Sequence, residues 1–195
     1  MNIVSNLHIT GKQELLEILQ EEDLSPADKL TYFREENKNS LELFCKAFLA
    51  TDTIYQAFDD GPQKDHSKAE TKTAIDPAWI QRKQSEGCGI YFSVNGFTGS
   101  RQKQNINKLR ALYCDIDLRK EGDTEPVEDR KVQKLQDLLL GSFHRPSAII
   151  ETKNGLQCLW QLADTPLEFI ESYKNTLERL IYATGGDPGA KDITR

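Results

Sequence analysis

Two aspartates at the end of an apolar, β-prone segment are the residues of this sequence best suited to chemistry. The segment reads Ala111-Leu112-Tyr113-Cys114-Asp115-Ile116-Asp117. In a strand, side chains two residues apart share a face, with Cα atoms roughly 6–7 Å apart. Asp115 and Asp117 would therefore stand side by side and repel each other unless a cation lies between them. Carboxylate oxygens are the ligands that hard cations such as Mg²⁺ prefer. The alternative is a strand that runs into a polar turn, with both acids solvated.

Two further segments could complete a site around this pair. The stretch from Glu151 to Gln157 is rich in donors suited to phosphate, sugar or base, and it contains Asn154-Gly155, a strong hairpin signal. Asp187 follows the glycines that end a predicted helix. Three carboxylates from separate elements would suit two-metal phosphoryl transfer, in which the ions clamp the attacking and leaving oxygens. The alternatives are a simple tight turn and a loop or cap aspartate.

A basic run directly precedes the aspartate pair. Residues 100–110 carry Arg101, Lys103, Lys108 and Arg110 with no acid among them. Such a run suits a phosphate-bearing substrate, although it could also be a solvated helix face. The net charge of −6 argues against wholesale wrapping of nucleic acid but is compatible with a local basic groove.

The remaining pattern predicts alternating helices and strands. Helices are predicted over 11–21, 26–34, 41–49, 77–86, 102–109, 130–140 and 166–184, strands over 53–58, 89–94, 111–117, 146–151 and 156–162, and a mobile loop over 63–74. This order indicates an α/β or α+β sandwich with helices on one face of a mostly antiparallel sheet. We expect an N-terminal helical section over residues 1–50 and a catalytic core over 51–195.

The composition indicates the compartment in which we expect the protein to act. No apolar run approaches about 18 residues, so no transmembrane helix is predicted. The first residues lack a basic region followed by an apolar core, so no secretory signal is predicted. The four cysteines, Cys45, Cys88, Cys114 and Cys158, form no C-x-x-C pair, which argues against zinc binding and a disulfide framework. We therefore expect a reduced, cytoplasmic protein with no membrane partner.

Three motifs in order resemble the archaeo-eukaryotic primase superfamily, and most closely the primase-polymerase domains of plasmid and phage replication proteins. The first is the strand ending in Asp115-Ile116-Asp117, and Phe92-Ser93-Val94-Asn95 and Arg101 precede it in the resemblance. The second corresponds to residues 152–160, and the third to residues 185–195. The resemblance covers roughly residues 53–195 and leaves the N-terminal helices outside.

The resemblance implies a DNA-directed nucleotidyltransferase that makes or extends primers from nucleoside triphosphates. The enzyme would copy a single-stranded or primed DNA template in the replication of a mobile element. The resemblance also implies an RRM-like sheet with packed helices, and two Mg²⁺ or Mn²⁺ ions as cofactors. It also admits a helicase or another replication domain as a partner. The implied roles are metal binding and catalysis by Asp115, Asp117 and Asp187, nucleotide binding by Arg101, Thr152, Lys153, Asn154 and Gln157, and DNA binding by Lys103 and Lys108.

The sequence departs from the family pattern at three places. Thr152 stands where the family usually has serine, and Gln157 stands where many members have histidine. Glutamine keeps a donor and an acceptor but does not titrate near neutral pH, so Gln157 could hold a phosphate but not act as a general base. The family continues past its third acid with a basic segment, whereas this sequence ends at Arg195, so we expect a C-terminally truncated core, the alternative being a nucleotide site without that basic wall.

Three assignments stay open at the level of sequence. Asp192 competes with Asp187 for the role of the third acid, and Asp187 is preferred because it directly follows the helix-ending glycines. A catalytically silent nucleotide- or DNA-binding module of a replication initiator protein is the alternative function. A metal-dependent nuclease that uses the same acids is a third.

Overall fold

The protein is described by a computed structural model that covers residues 7–9, 13–36, 40–74, 76–119, 122–141 and 145–194. Within these residues the helices are α1 (Gln13–Gln20), α2 (Pro26–Glu36), α3 (Ser40–Phe48), α4 (Pro77–Ser85), α5 (Val127–Leu140) and α6 (Ile170–Thr184). The strands are β1 (Leu7–Ile9), β2 (Tyr55–Asp59), β3 (Glu70–Lys72), β4 (Cys88–Phe92), β5 (Gly96–Phe97), β6 (Ile106–Asp117), β7 (Ala148–Glu151) and β8 (Gly155–Thr165). The parts of our predictions that fall on residues 1–6, 10–12, 37–39, 75, 120, 121, 142–144 and 195 lie outside the described residues.

The larger sheet has five strands in the order β1-β7-β8-β6-β5, and every pairing within it is antiparallel. Its centre is the long ladder between β6 and β8, in which Asp115 lies opposite Gln157 and Asp117 opposite Gly155. The hairpin between β7 and β8, which the sequence predicted at residues 152–155, turns at Lys153-Asn154, and Gly155 is the first residue of β8. The α+β class with a mostly antiparallel sheet and packed helices is confirmed.

The two faces of this sheet differ, because side chains alternate along β6. Leu112, Cys114 and Ile116 are buried against α5 and α6 in the main core. Ala111 and Tyr113 lie on the opposite face, where Phe44 and Phe48 of α3 cover only part of the sheet. Asp115 and Asp117 continue this second row, and so they are kept out of the main core.

The smaller sheet has the order β3-β2-β4. Its third strand corrects the prediction of a mobile loop over 63–74, because β3 pairs with Tyr55 to Ala57 of β2. The turn before β3 is ordered by the Asp59 carboxylate, which accepts the amides of Gly61 (3.1 Å) and Asp65 (2.7 Å). These contacts are between a side chain and a turn backbone, which a hydropathy pattern does not reveal.

The predicted helix over 102–109 is also wrong. Only a short 3-10 turn, Lys103–Asn105, precedes β6, which begins at Ile106. Ile106 pairs with Phe97 of β5, and both are buried, so residues 106–109 are drawn into the sheet. Arg110 is buried as well, and its guanidinium is bonded to Asp52 and Thr53.

The N-terminal helices pack against the rest of the fold. Leu15 and Leu19 of α1 and Leu30 and Phe33 of α2 belong to the same apolar cluster as Leu135 of α5. Strand β1 adds to the edge of the larger sheet at β7. A functional division near residue 50 stays a prediction. Among the described residues, none of the helices combines the length and the apolarity that crossing a bilayer requires.

Candidate active site

The aspartate pair lies at the end of β6 on the sheet face that α5 and α6 leave uncovered. Asp115 is half-buried and Asp117 is exposed. Gln157 lies directly across the ladder from Asp115 and is also half-buried. Cross-strand neighbours of this kind have Cβ atoms about 5 Å apart. The strand end therefore presents two carboxylates and one amide side by side.

The hairpin between β7 and β8 is fixed to the chain immediately after Asp117. The carbonyl of Asn154 accepts the amides of Leu118 (3.0 Å) and Arg119 (3.1 Å). A Cβ atom on Gly155 would lie 1.9 Å from the carbonyl oxygen of Ile116, so only glycine permits this approach. The tip of the hairpin is thereby held beside the aspartates.

Within the hairpin, some of the predicted nucleotide-binding side chains are bonded within the turn and others are exposed to solvent. The Thr152 hydroxyl accepts the amide of Gly155 (3.0 Å), and the Thr152 amide donates to the Gly155 carbonyl (2.9 Å), so Thr152 closes the turn. Lys153 and Asn154 are exposed at the tip. Their side chains are thus placed at the edge of the surface that carries Asp115 and Asp117.

An ion cluster around the buried Glu151 supports this hairpin from the opposite face of the sheet. Glu151 accepts from Arg34 (2.6 and 3.0 Å) and from the Lys131 ammonium (2.9 Å). Lys131 also donates to the Thr152 carbonyl (2.7 Å). Burial alone would raise the pKa of Glu151, but its bonds to Arg34 and Lys131 outweigh that effect and lower the pKa. Our reasoning from sequence missed this cluster, because its members are far apart in the chain.

Asp187 reaches the aspartate pair through the backbone. Helix α6 ends with Gly185 in the left-handed conformation (φ 68°), and the chain then turns back toward β6. The amide of Asp187 donates to the carbonyl of Asp115 at 2.7 Å. A Cβ atom on Gly186 would lie 2.1 Å from the Cys114 sulfur, so glycine is required for the contact. The Asp187 carboxylate itself is exposed and caps the next turn by accepting the Gly189 amide (2.8 Å).

The pKa of the buried Cys114 thiol is affected by the charges of both Asp115 and Asp187. Burial raises the pKa of Cys114, a hydrogen bond with Thr184 opposes that rise, and the negative charges of Asp115 and Asp187 add to it. The two carboxylates therefore act on one group beneath the sheet. Asp192, the competing third acid, instead binds the amide and hydroxyl of Thr194, both at 2.9 Å.

The donor set of this site suits a hard divalent cation only in part. Asp115 and Asp117 supply carboxylate oxygens on one face of one strand, which is the chemistry that Mg²⁺ and Mn²⁺ prefer. Within the described ranges, no three His, Cys, Asp or Glu side chains are gathered closely enough to hold a metal ion. The pair fits two ligand positions, and the Asp187 carboxylate, one oxygen of which accepts the Gly189 amide, is not gathered with them.

The predicted basic residues are distributed over three places. Arg101 donates to the carbonyl of Thr194 (2.6 Å) and to the Gln56 side chain, so it ties the chain after Asp187 to β2. Lys103 lines a cavity of about 300 Å³ beside α6. Lys108 lines a different cavity of about 480 Å³ between α3 and β6. Arg110, which the basic run suggested as a phosphate ligand, is instead the buried partner of Asp52.

No protein family and no curated protein matches the chain by sequence. Among solved structures, the chain is similar to the AEP domain of the cyanophage S-2L primase-polymerase (PrimPol), with a TM-score of 0.60 and 18% identity. The match covers 81% of this chain and 78% of that domain. At this identity the likeness concerns the fold. The chain therefore has the α+β fold of an archaeo-eukaryotic primase domain.

Proposed function

We propose that the protein is a DNA-directed nucleotidyltransferase of the primase-polymerase type, which joins nucleoside triphosphates to a primer on a DNA template in the replication of a mobile element. The observation that carries the proposal is the meeting of three segments at the end of the β6–β8 ladder. Asp115 is opposite Gln157, and its carbonyl accepts the amide of Asp187. The likeness to a primase-polymerase domain supports the same reaction class.

In this proposal the carboxylates of Asp115, Asp117 and Asp187 hold divalent cations. Bound Mg²⁺ or Mn²⁺ supplies charge neutralisation for the triphosphate and a more acidic 3′-hydroxyl. Lys153, Asn154 and Gln157 bind the triphosphate, because two of them are exposed at the hairpin tip and the third faces Asp115. Arg101 and Thr152 position the neighbouring backbone, while Lys103 and Lys108 contact DNA.

The test is a primer-extension assay with Mg²⁺ or Mn²⁺ and either nucleotide set, followed by a de novo priming assay on single-stranded DNA. We expect the double variant Asp115→Asn with Asp117→Asn to lose at least a thousandfold of the incorporation rate, because charge stabilisation of the transition state is removed. The matched control is Asp137→Asn, an exposed aspartate on α5 that pairs with Lys134. Unchanged incorporation by the folded double variant would overturn the assignment.

The same assay separates the alternatives. A catalytically silent binding module would retain oligonucleotide binding but give no incorporation with either metal. A nuclease would cleave the oligonucleotide without added triphosphates. A helicase partner finds no support in the fold or in the structural likeness.

A further inference from the structure

A groove runs along the outer side of α6 and begins beside the candidate active site. Two adjoining cavities, of about 300 and 360 Å³, form it and share Glu178 and Lys191 as lining residues. Gly186 and Pro188, which flank Asp187 in the chain, line one end. Lys103 and Lys174 line the other end. The groove thus leads away from the third acid of the proposed site.

The length of the groove fits a short stretch of extended chain. Lys174, Glu178, Tyr182 and Gly185 recur at helical spacing and form one stripe of α6 and its cap. A rise of about 1.5 Å per residue gives roughly 16 Å from Lys174 to Gly185 along the helix axis. That span corresponds to a few nucleotides of a single strand.

Lysines outnumber acids in the lining of the groove, although the net charge of the chain is −6. Lys103, Lys174 and Lys191 line it together with two acids, Glu178 and Asp192. The Asp192 carboxylate is engaged by Thr194, and Glu178 lies 3.7 Å from Lys191 in an exposed ion pair. Lys174 pairs with Glu171 on the surface. Exposed pairs of this kind are weak, so a phosphate can replace the carboxylate at little cost.

Tyr182 adds an aromatic surface at the end nearest Asp187. Its side chain is 91% exposed, although it is a large ring on a helix that is otherwise buried on one side. Nucleobases without a pairing partner stack on such rings without regard to sequence, while lysines beside them bind the backbone. An exposed tyrosine and a row of lysines in one groove fit that ligand better than a protein partner or a duplex.

We propose that this groove binds the single-stranded DNA that approaches the active site, with a base stacked on Tyr182 and phosphates at Lys191, Lys174 and Lys103. The inference rests on the proposed function for the identity of the strand as a template. The binding site itself is defined by residues that take no part in the chemistry at Asp115 and Asp117.

The test measures the affinity of a fluorescently labelled single-stranded oligo(dT) by anisotropy, with EDTA present and at several salt concentrations. We expect Tyr182→Ala to weaken binding about tenfold and Tyr182→Phe to bind like the wild type, because stacking needs the ring and not the hydroxyl. Lys103→Ala with Lys191→Ala should reduce the slope of log affinity against log salt by about 1.4, since each phosphate contact on a single strand contributes about 0.7.

Glu178→Gln should change the affinity for oligo(dT) in the opposite direction to the lysine and tyrosine variants. Removing this acid from the groove should tighten binding about threefold at low salt, an outcome that loss of structure cannot produce. Lys72→Ala is the control for net charge, because Lys72 lies on β3 in the smaller sheet. If Lys72→Ala lowers the affinity as much as either groove lysine, or if Tyr182→Ala and Glu178→Gln leave it unchanged, the groove assignment is wrong. Tighter binding of oligo(rU) than of oligo(dT) would overturn the assignment to DNA.

The two proposals fail separately. Asp115→Asn with Asp117→Asn should still bind oligo(dT) through the groove, because the assay contains no metal. If the wild type incorporates nucleotides but Tyr182→Ala binds oligo(dT) as tightly as the wild type, the proposed function stands and the groove assignment is wrong. If the groove variants change oligo(dT) binding but the wild type incorporates no nucleotides, the groove assignment stands and the proposed function is wrong.

Discussion

The amide nitrogen of Asp187 lies 2.7 Å from the carbonyl oxygen of Asp115, and this hydrogen bond joins the segment after α6 to strand β6. It acts between backbones, so it fixes the position of Asp187 without engaging the Asp187 carboxylate. Gly186 makes the approach possible, because the Cys114 sulfur occupies the space where its Cβ atom would lie. The spacing of the proposed ligands therefore depends on a residue that carries no functional group.

Gly186→Ala should destabilise the protein and reduce incorporation together. The new methyl group would lie 2.1 Å from the Cys114 sulfur and 3.1 Å from the Asp115 carbonyl oxygen, so the Asp187 segment must move away from β6. Overpacking of this kind costs about 1–3 kcal/mol of unfolding free energy, which urea denaturation measures.

The control is a double-mutant cycle with Cys114→Ala, which removes the sulfur that the methyl group meets. We expect Cys114→Ala to recover at least half of the stability lost in Gly186→Ala, a favourable coupling between neighbours. Additive effects would mean that the sulfur is not what excludes a side chain at position 186.

Glu151→Gln should destabilise the protein most at neutral pH. The substitution leaves the buried Lys131 ammonium without its carboxylate, and breaking a buried pair costs about 3–5 kcal/mol. Because the pKa of Glu151 is lowered in the folded state, the wild type holds this contribution above the unfolded pKa of about 4.5 and loses it as the pH falls through the folded pKa.

The measurement is the unfolding free energy of wild type and Glu151→Gln between pH 3 and 7. The difference between the two should shrink as the pH falls below about 4.5, whereas a difference that is constant with pH would contradict an electrostatic cause. Lys131→Met on the Glu151→Gln background should recover part of the loss, because no buried charge is then left unpaired.

Local signals in the sequence predicted the central part of the fold and the order of the site segments. The Asn154-Gly155 hairpin, the strand ending at Asp117 and the glycine end of α6 each depend on residues adjacent in the chain. The predicted helix over 102–109 is wrong because Ile106 obtains its partner, Phe97, from a neighbouring strand. A single-sequence pattern contains no information on such a partner.

The electrostatics of the site could not be predicted for the same reason. Arg110 belongs to a basic run that contains no acid, yet its guanidinium pairs with Asp52, which lies 58 positions earlier in the chain. Glu151 is near the proposed nucleotide site in the chain, yet it points to the opposite face of the sheet and binds Lys131. Charge runs indicate what a segment carries, and only tertiary structure decides which charges remain available.

Lys153→Ala should weaken nucleotide binding without changing stability. Lys153 is exposed at the hairpin tip, and the turn is held by Thr152 and Gly155 instead. Loss of a hydrogen bond to a charged group should raise KM for the triphosphate about tenfold and leave kcat within about twofold. Steady-state incorporation kinetics measure this split, and Lys153→Arg should retain most of the affinity. A fall in kcat at unchanged KM would mean that Lys153 acts only in the transition state, and unchanged kcat and KM would place Lys153 outside the triphosphate site.

Gln157→Glu should introduce a carboxylate of the same shape directly opposite Asp115. Like charges at paired positions of an antiparallel ladder repel each other, so we expect about 1 kcal/mol of lost unfolding free energy at pH 7. The repulsion raises the pKa of the paired acids, and the loss should therefore disappear as the pH falls and they become protonated. Mg²⁺ should restore more stability to this variant than to the wild type, because a cation between the strands binds only the folded state. Gln161→Glu is the control for the response to pH and Mg²⁺, since Gln161 is on the same strand and face but opposite Ala111. This variant also loses the hydrogen bond from the Gln161 side-chain amide to the Ala47 carbonyl (3.2 Å), so the size of its stability loss is not itself the comparison. Equal responses of the two variants to pH and Mg²⁺ would show that the charge of Asp115 does not act across the ladder.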